Sequence, residues 1–192
     1  MTPYGGKELA DAFRTVRKNT IQVAEDIPES KYDHVPAPDC RSVGRMLTHI
    51  AMSTQIWDEI HRKQRLTSLA GINFVPIMER FQAEEAKPRT KAQILDMLRT
   101  DGEQFAAWLE TTTPEFLAEP VSEPDGKTAK SRLERLLSAK EHEMHHRAQL
   151  MLIERQLGIV PHLTSQFQER LAQMKAAATP GATAKAGTAA TA

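Results

Sequence analysis

Apolar positions recur at three- and four-residue spacings along most of the chain, and strict strand-like alternation is absent over any useful length. Leu9, Phe13, Val16, Ile21 and Val23 mark one side of a helix predicted from about Lys7 to Glu25. A second is predicted from Ser42, as N-cap, to about Arg65, with Val43, Met46, Leu47, Ile50, Trp57 and Ile60 facing inward. Thr90 opens a third, striped by Ile94, Leu95, Leu98, Phe105 and Leu109 and ending near Thr111 to Pro114. The fourth runs from about Ala129 to Leu157, where Gly158 and Pro161 stop it. Met78 to Glu85 and Thr164 to Met174 are expected to form shorter helical pieces. The connections at 27–41, 71–76 and 120–128 are rich in proline or glycine and are expected to be loops. Four long helices with connections long enough for crossovers predict an all-α protein, an antiparallel four-helix bundle.

The chain has 192 residues, enough for one domain with a real core, which we place at 1–175. Residues 176–192 hold only Ala, Thr, Gly, Pro and a single Lys, so they are expected to form a mobile tail. Twenty-five basic residues balance 25 acidic ones, leaving no long-range field to attract nucleic acid. Hydrophobic residues at 40% and charged residues at 26% are a soluble, globular balance. No stretch approaches the roughly 20 apolar residues of a bilayer span. Met1 to Thr20 also lacks an apolar h-region, so neither membrane insertion nor a signal peptide is expected. The lone Cys40 cannot form an internal disulfide, which fits a cytoplasmic protein.

Chemistry concentrates in Glu141-His142-Glu143-Met144-His145-His146-Arg147-Ala148-Gln149. On a helix, His142 and His146 lie about 40° apart and one turn along the axis, close enough to share one metal ion. His49 lies beside the apolar arc of the second helix and is expected to point inward. Where helices two and four are neighbours, it supplies a third nitrogen. Three neutral imidazoles leave a divalent ion its full charge and an open position, as in catalytic and not structural sites. His145 falls about 60° to the other side of His142 and is given a supporting or packing role. His34, His61 and His162 are expected at the surface.

Two rival metal motifs overlap this segment. His142-Glu143-Met144-His145-His146 satisfies the zinc-peptidase pattern with Glu143 as base, and Glu169 is a conceivable third ligand. Its longer form fails, because Gln149 and Leu152 stand where glycine and histidine belong. A di-iron carboxylate site built on Glu143-x-x-His146 lacks a matching second motif, since helix two offers only Asp58-x-x-His61. Glu141, Glu143 and Gln149 are candidates to orient an imidazole, although ordinary solvated polarity is expected for Glu143. Arg147 is expected to pair with an acid inside the bundle. Cys40, just before helix two, is read as an inert thiol, and Trp57 and Trp108 as core residues that can also line a pocket.

The run Arg41-Ser42-Val43-Gly44-Arg45-Met46-Leu47-Thr48-His49-Ile50, together with His142-Glu143-Met144-His145-His146-Arg147-Ala148-Gln149-Leu150, resembles the DinB-like (YfiT-like) family of bacterial four-helix-bundle metalloproteins. The resemblance spans about Lys7 to Gly158. It implies metal binding by His49, His142 and His146, with zinc or nickel as the ion. Relatives include mycothiol-dependent maleylpyruvate isomerase and bacillithiol-type S-transferases. The resemblance therefore implies metal-dependent S-transfer or isomerisation of a small-molecule substrate, with a low-molecular-weight thiol as cosubstrate, and a homodimer. A hydrolase using activated water is the nearest alternative. A non-catalytic stress-response bundle is the reading from a different class.

Overall fold

Side-chain caps set the starts of three of the long helices. Ser42 Oγ accepts the Arg45 amide at 3.3 Å and Ser131 Oγ accepts the Glu134 amide at 3.1 Å. Thr90 and Gln93 form a reciprocal capping box, with each side chain bonded to the other's backbone. In the computed structural model, which describes residues 4–178, these caps open α2 (Val43–Trp57), α6 (Arg132–Gln156) and α4 (Lys91–Glu110), and the remaining long helix is α1 (Gly6–Asp26). The other elements are α3 (Val75–Glu85), α5 (Pro114–Ala118), β1 (Pro120–Ser122), β2 (Ala129–Ser131) and α7 (His162–Ala177).

The burial pattern fixes the helix directions. Leu9 and Phe13, early in α1, pack with Phe105 and Leu109, late in α4, and with Leu136, early in α6. Val23 and Ile27 at the other end of α1 pack with Leu47 of α2, Ile94 of α4 and Leu150 of α6. So α1 and α6 run one way, and α2 and α4 the other. Both α1 and α2 pack chiefly against α4 and α6, which sets the chain neighbours α1 and α2 across a diagonal. The expected all-α four-helix bundle is present, with α1/α4 and α2/α6 as its antiparallel pairs. Because α2 and α4 are parallel, the chain between them must travel back along the bundle. It does so through residues 64–90, and α3 lies against α2 on the way.

Between the two core clusters sits a charged layer. Arg17 of α1 is 4% exposed and Glu143 of α6 is 0% exposed. Arg17 Nε donates to both Glu143 oxygens at 3.0 Å, its Nη1 donates to Leu98 O of α4 at 2.8 Å, and its Nη2 faces Ile50 O of α2 at 3.4 Å. One side chain thus ties together all four long helices. Gly102 makes room for it: a Cβ there would lie 2.8 Å from Arg17 Nη1 and 2.9 Å from its Cγ.

Several sequence expectations change. The second helix does not continue as α-helix to Arg65. It passes after Trp57 into a π-helical stretch, Asp58–Lys63, closed by the Gln64 amide on Glu59 O at 3.0 Å. The loop at 120–128 is the turn of a small hairpin that pairs Pro120 with Ser131 and Ser122 with Ala129, so the fourth helix begins at Arg132 and not at Ala129. Asp125 Oδ1 accepts the Lys127 and Thr128 amides, and Gly126 supplies a φ of +67°, which is why a Pro/Gly-rich stretch makes an ordered turn. Pro76 stands in the first turn of α3, where its missing N–H costs nothing, and so starts a helix instead of breaking one. Pro161 likewise starts α7, which is longer than expected and takes in Ala176 and Ala177 of the predicted tail. The tail from 179 onward lies outside the described residues. Among the described residues, no helix is long and apolar enough to cross a membrane.

Candidate metal centre

His49 reaches the site from the middle of α2, and His142 and His146 from adjacent turns of α6, the antiparallel neighbour of α2. His142 Nε2 lies 3.1 Å from His49 Nε2 and 3.2 Å from His146 Nε2. One nitrogen from each of the three rings falls within 4.8 Å of the others. Nitrogens on a tetrahedral ion at the usual zinc–nitrogen bond length stand about 3.3 Å apart, so the spacing is close to what such an ion needs.

The outer ring nitrogens determine which atoms face inward. His49 Nδ1 is 3.2 Å from Glu85 Oε2. Burial opposes the charge of Glu85, but hydrogen bonds from His49 and Arg41 outweigh it and hold the carboxyl at about 2. An ionised Glu85 only accepts, so His49 carries its hydrogen on Nδ1 and turns a lone pair toward the other rings. His146 Nδ1 donates to Gln149 Oε1 at 2.9 Å, while the Gln149 amide nitrogen lies 3.3 Å from His145 Nε2. That pairing fixes the second inward lone pair. His142 Nδ1 is buried with no partner. A single hydrogen on His142 Nε2 would satisfy at most one of the two facing lone pairs, and a cation would satisfy all three nitrogens. This donor set therefore fits a divalent ion, which neutral imidazoles would hold, with the far sides of His49 and His146 held by Glu85 and Gln149.

Burial strengthens the case for neutral rings. His142 is pushed down to about 4, by burial first and then by the neighbouring His146, His49 and His145. His146, 9% exposed, is also lowered, mainly by burial. A protonated ring cannot bind a metal, so each downward shift extends the range in which the nitrogen is available.

Beside the rings opens a cavity of about 210 Å³, lined by His49, Glu85 and His142. Ile56, Trp57, Met78 and Phe81 supply its apolar wall, and Arg41 its cation.

The three histidines named from sequence come together as expected, and the others divide. His145 is exposed, with its ring 4.9 Å from that of His146. His61 is not at the surface. It is fully buried, stacks in parallel on Trp57 with centroids 6.1 Å apart, and accepts from Arg132 Nη1 at 2.9 Å. Burial, then Arg132 and Arg135, push it down to about 3. Regular helical spacing already puts His61 about 40° from Trp57, on the inward stripe, so its nearness to the end of the predicted helix was a poor guide to exposure. His162 is also largely covered, its side chain 10% exposed and its Nε2 3.3 Å from Asn19 Oδ1. Glu143 is a buried partner of Arg17 and not solvated polarity, so it cannot serve as a peptidase base. Asp58 pairs with Arg62 and Lys63, which leaves the di-iron alternative without its second half. Arg147 donates to Val16 O at 3.1 Å, a backbone group instead of an acid. Trp57 lines the cavity, whereas Trp108 packs with Phe105 and Phe116.

Glu85 was missed from sequence. It lies 36 residues beyond His49 in the chain, and only the crossover brings it to the ring. Arg41 was legible as part of a motif but not as a cavity residue.

The comparisons agree with this architecture. YfiT from Bacillus subtilis, described as a probable metal-dependent hydrolase with an unusual four-helix bundle topology, superposes with a TM-score of 0.65 at 17% identity, covering 83% of this chain and 91% of that one. A DinB-like protein, YjoA, also from Bacillus subtilis, gives 0.58 at 23% identity over 79% of this chain and 92% of that one. An uncharacterized protein from Clostridium difficile 630 gives 0.62 at 12% identity over 81% and 98%. At these identities the likeness is one of fold. No curated protein matches the sequence significantly. The DinB family profile matches residues 2–177, which takes in every described helix, and the chain is a member of the DinB family.

Proposed function

We propose that this protein is a metal-dependent hydrolase of a small molecule, with His49, His142 and His146 holding one divalent ion, zinc or nickel. The observation that carries the reading is the convergence of three imidazole nitrogens, two of them with their lone pairs fixed inward, beside a cavity. Such an ion is a Lewis acid that makes water, or a small thiol, a competent nucleophile near neutral pH. The chain's own residues do the rest. Glu85 and Gln149 hold the ring protons of His49 and His146 on the outer nitrogens. The Arg17–Glu143 pair anchors the residues next to His49 and His142. Ile56, Trp57, Met78 and Phe81 offer a bound substrate an apolar wall.

Water is the nucleophile in the leading reading. The cavity of about 210 Å³ admits a small substrate beside the rings. The description of YfiT as a probable metal-dependent hydrolase points the same way. Thiol transfer or isomerisation is the second reading. It is favoured by the partial exposure of Met78, 38%, which leaves the cavity open for a thiol to insert its sulfur alone. Elemental analysis is expected to find one zinc or nickel per chain, lost in His146→Ala. Turnover of small esters or amides without added thiol, abolished by chelator, is the expected result. Activity only with a thiol selects the second reading. A wild-type protein that retains no metal on reconstitution overturns both and leaves a non-catalytic bundle.

A further inference from the structure

The geometry points to a substrate class for this site: a small molecule with a flat apolar body and one carboxylate, the carboxylate taken by Arg41. The inference rests on the cavity being the substrate pocket of the proposed enzyme. Arg41 precedes the N-cap of α2, and its side chain is only 33% exposed because it lies against Glu85 of the crossover helix. Its Nε donates to Glu85 Oε1 at 2.7 Å. Neither terminal nitrogen makes a hydrogen bond to any described residue, although Arg41 lines the cavity. The planar end of a guanidinium offers a fork matched to a carboxylate, so its free donors are the natural seat for one.

Local charge agrees. Among the cavity-lining residues Glu85 is the one acid, and it already faces both Arg41 and Arg45. Two guanidinium groups against one carboxylate leave a positive surplus before any divalent ion adds to it. An anion compensates this charge, whereas a cationic substrate would be repelled.

The rest of the lining specifies the body. Trp57 is held flat by its parallel stack on His61, which Arg132 in turn fixes from behind. A braced indole beside Phe81, Ile56 and Met78 is a surface for a planar apolar group, and about 210 Å³ accommodates one ring with a short side chain. His61 and Arg132, which take no part in the three-histidine cluster, thereby acquire a role as supports of the cavity wall.

Calorimetric titration with phenylacetate, phenylacetamide and phenethylamine, on protein with and without zinc, tests the inference. Phenylacetate is expected to bind about tenfold more tightly than the neutral amide, with the amine weakest. Arg41→Gln is expected to remove the advantage of the acid over the amide while leaving zinc stoichiometry unchanged, and Trp57→Ala to weaken acid and amide alike. Equal affinity for acid and amide overturns the proposal, as does no measurable binding of either. An acid preference that survives Arg41→Gln also overturns it, since the anion would then be held by the metal alone. A protein that takes up no zinc but still prefers the acid through Arg41 would sink the enzymatic reading and leave the anion site standing.

Discussion

Glu154 gives a test of the fold that is independent of any metal. Its side chain is completely buried near the end of α6, and both carboxylate oxygens lack a hydrogen-bond partner. Burial, then the charge of Asp26, push its pKa up from 4.5 to about 7, with Arg155 opposing. The folded protein therefore keeps a proton that the unfolded chain releases. Stability from this group is complete below about pH 4.5 and is lost as pH rises through about 7. At 1.36 kcal/mol per unit, the loss between acid and mildly alkaline pH is about 3 kcal/mol. Glu154→Gln keeps the shape and cannot ionise. Its stability relative to wild type should therefore rise by about 2–3 kcal/mol between pH 5 and pH 8, whatever fixed offset the amide introduces. Urea unfolding followed by far-ultraviolet circular dichroism at several pH values reads this directly. Thermal midpoints should diverge by about 5–10 °C at the alkaline end. Parallel stability–pH curves for the two proteins would refute the argument, because a carboxyl that ionises equally in both states cannot be buried without partners.

Three further outcomes follow from the interior. Arg17→Met leaves Glu143 charged and unpaired in the core and should cost about 3–5 kcal/mol in urea unfolding, and adding Glu143→Leu should recover a substantial part of it. A double variant no more stable than the single one would count against the pairing. Gly102→Ala should cost about 1–3 kcal/mol by pressing on Arg17, and the same change in an Arg17→Met background should cost less. Glu85→Ala should weaken zinc binding about 10–100-fold by calorimetric titration, because His49 loses the acceptor that fixes its tautomer; unchanged affinity would remove Glu85 from the site.

How much of this was legible in sequence depends on the range of the interaction. Helix stripes and caps are local, so Ser42, Thr90 and the apolar residues of the long helices predicted the bundle. The pairing of His142 with His146 is local too, and His49 followed from the apolar arc beside it. What failed was whatever depended on a departure from regular geometry or on a distant partner. His61 was expected at the surface for lying near a helix end, although regular spacing sets it about 40° from Trp57; what holds it inside is Arg132, 71 residues further along the chain. Glu143 looked solvated because its partner lies 126 residues away in α1. The hairpin at 120–131 was hidden by strands of three residues, too short for alternation to register.

The topology itself explains why the site is built as it is. Two parallel helices in succession oblige the chain to run back along the bundle, and that return segment is what carries α3 to the face of α2. An up-and-down bundle with short loops would have left His49 Nδ1 facing solvent. Here the return places Glu85, 3% exposed, against that nitrogen and brings Met78 and Phe81 over the rings. The second device is the buried ion pair. Arg17 bonds the residue after His142 and faces the carbonyl of the residue after His49, so sliding α2 along α6 would break buried charged contacts as well as apolar packing. A buried pair adds little net stability over an apolar substitute, but it penalises every wrong register heavily. A centre that needs three nitrogens aligned to within about half an ångström gains more from register than from stability, which accounts for an ion pair between the two apolar clusters of the bundle.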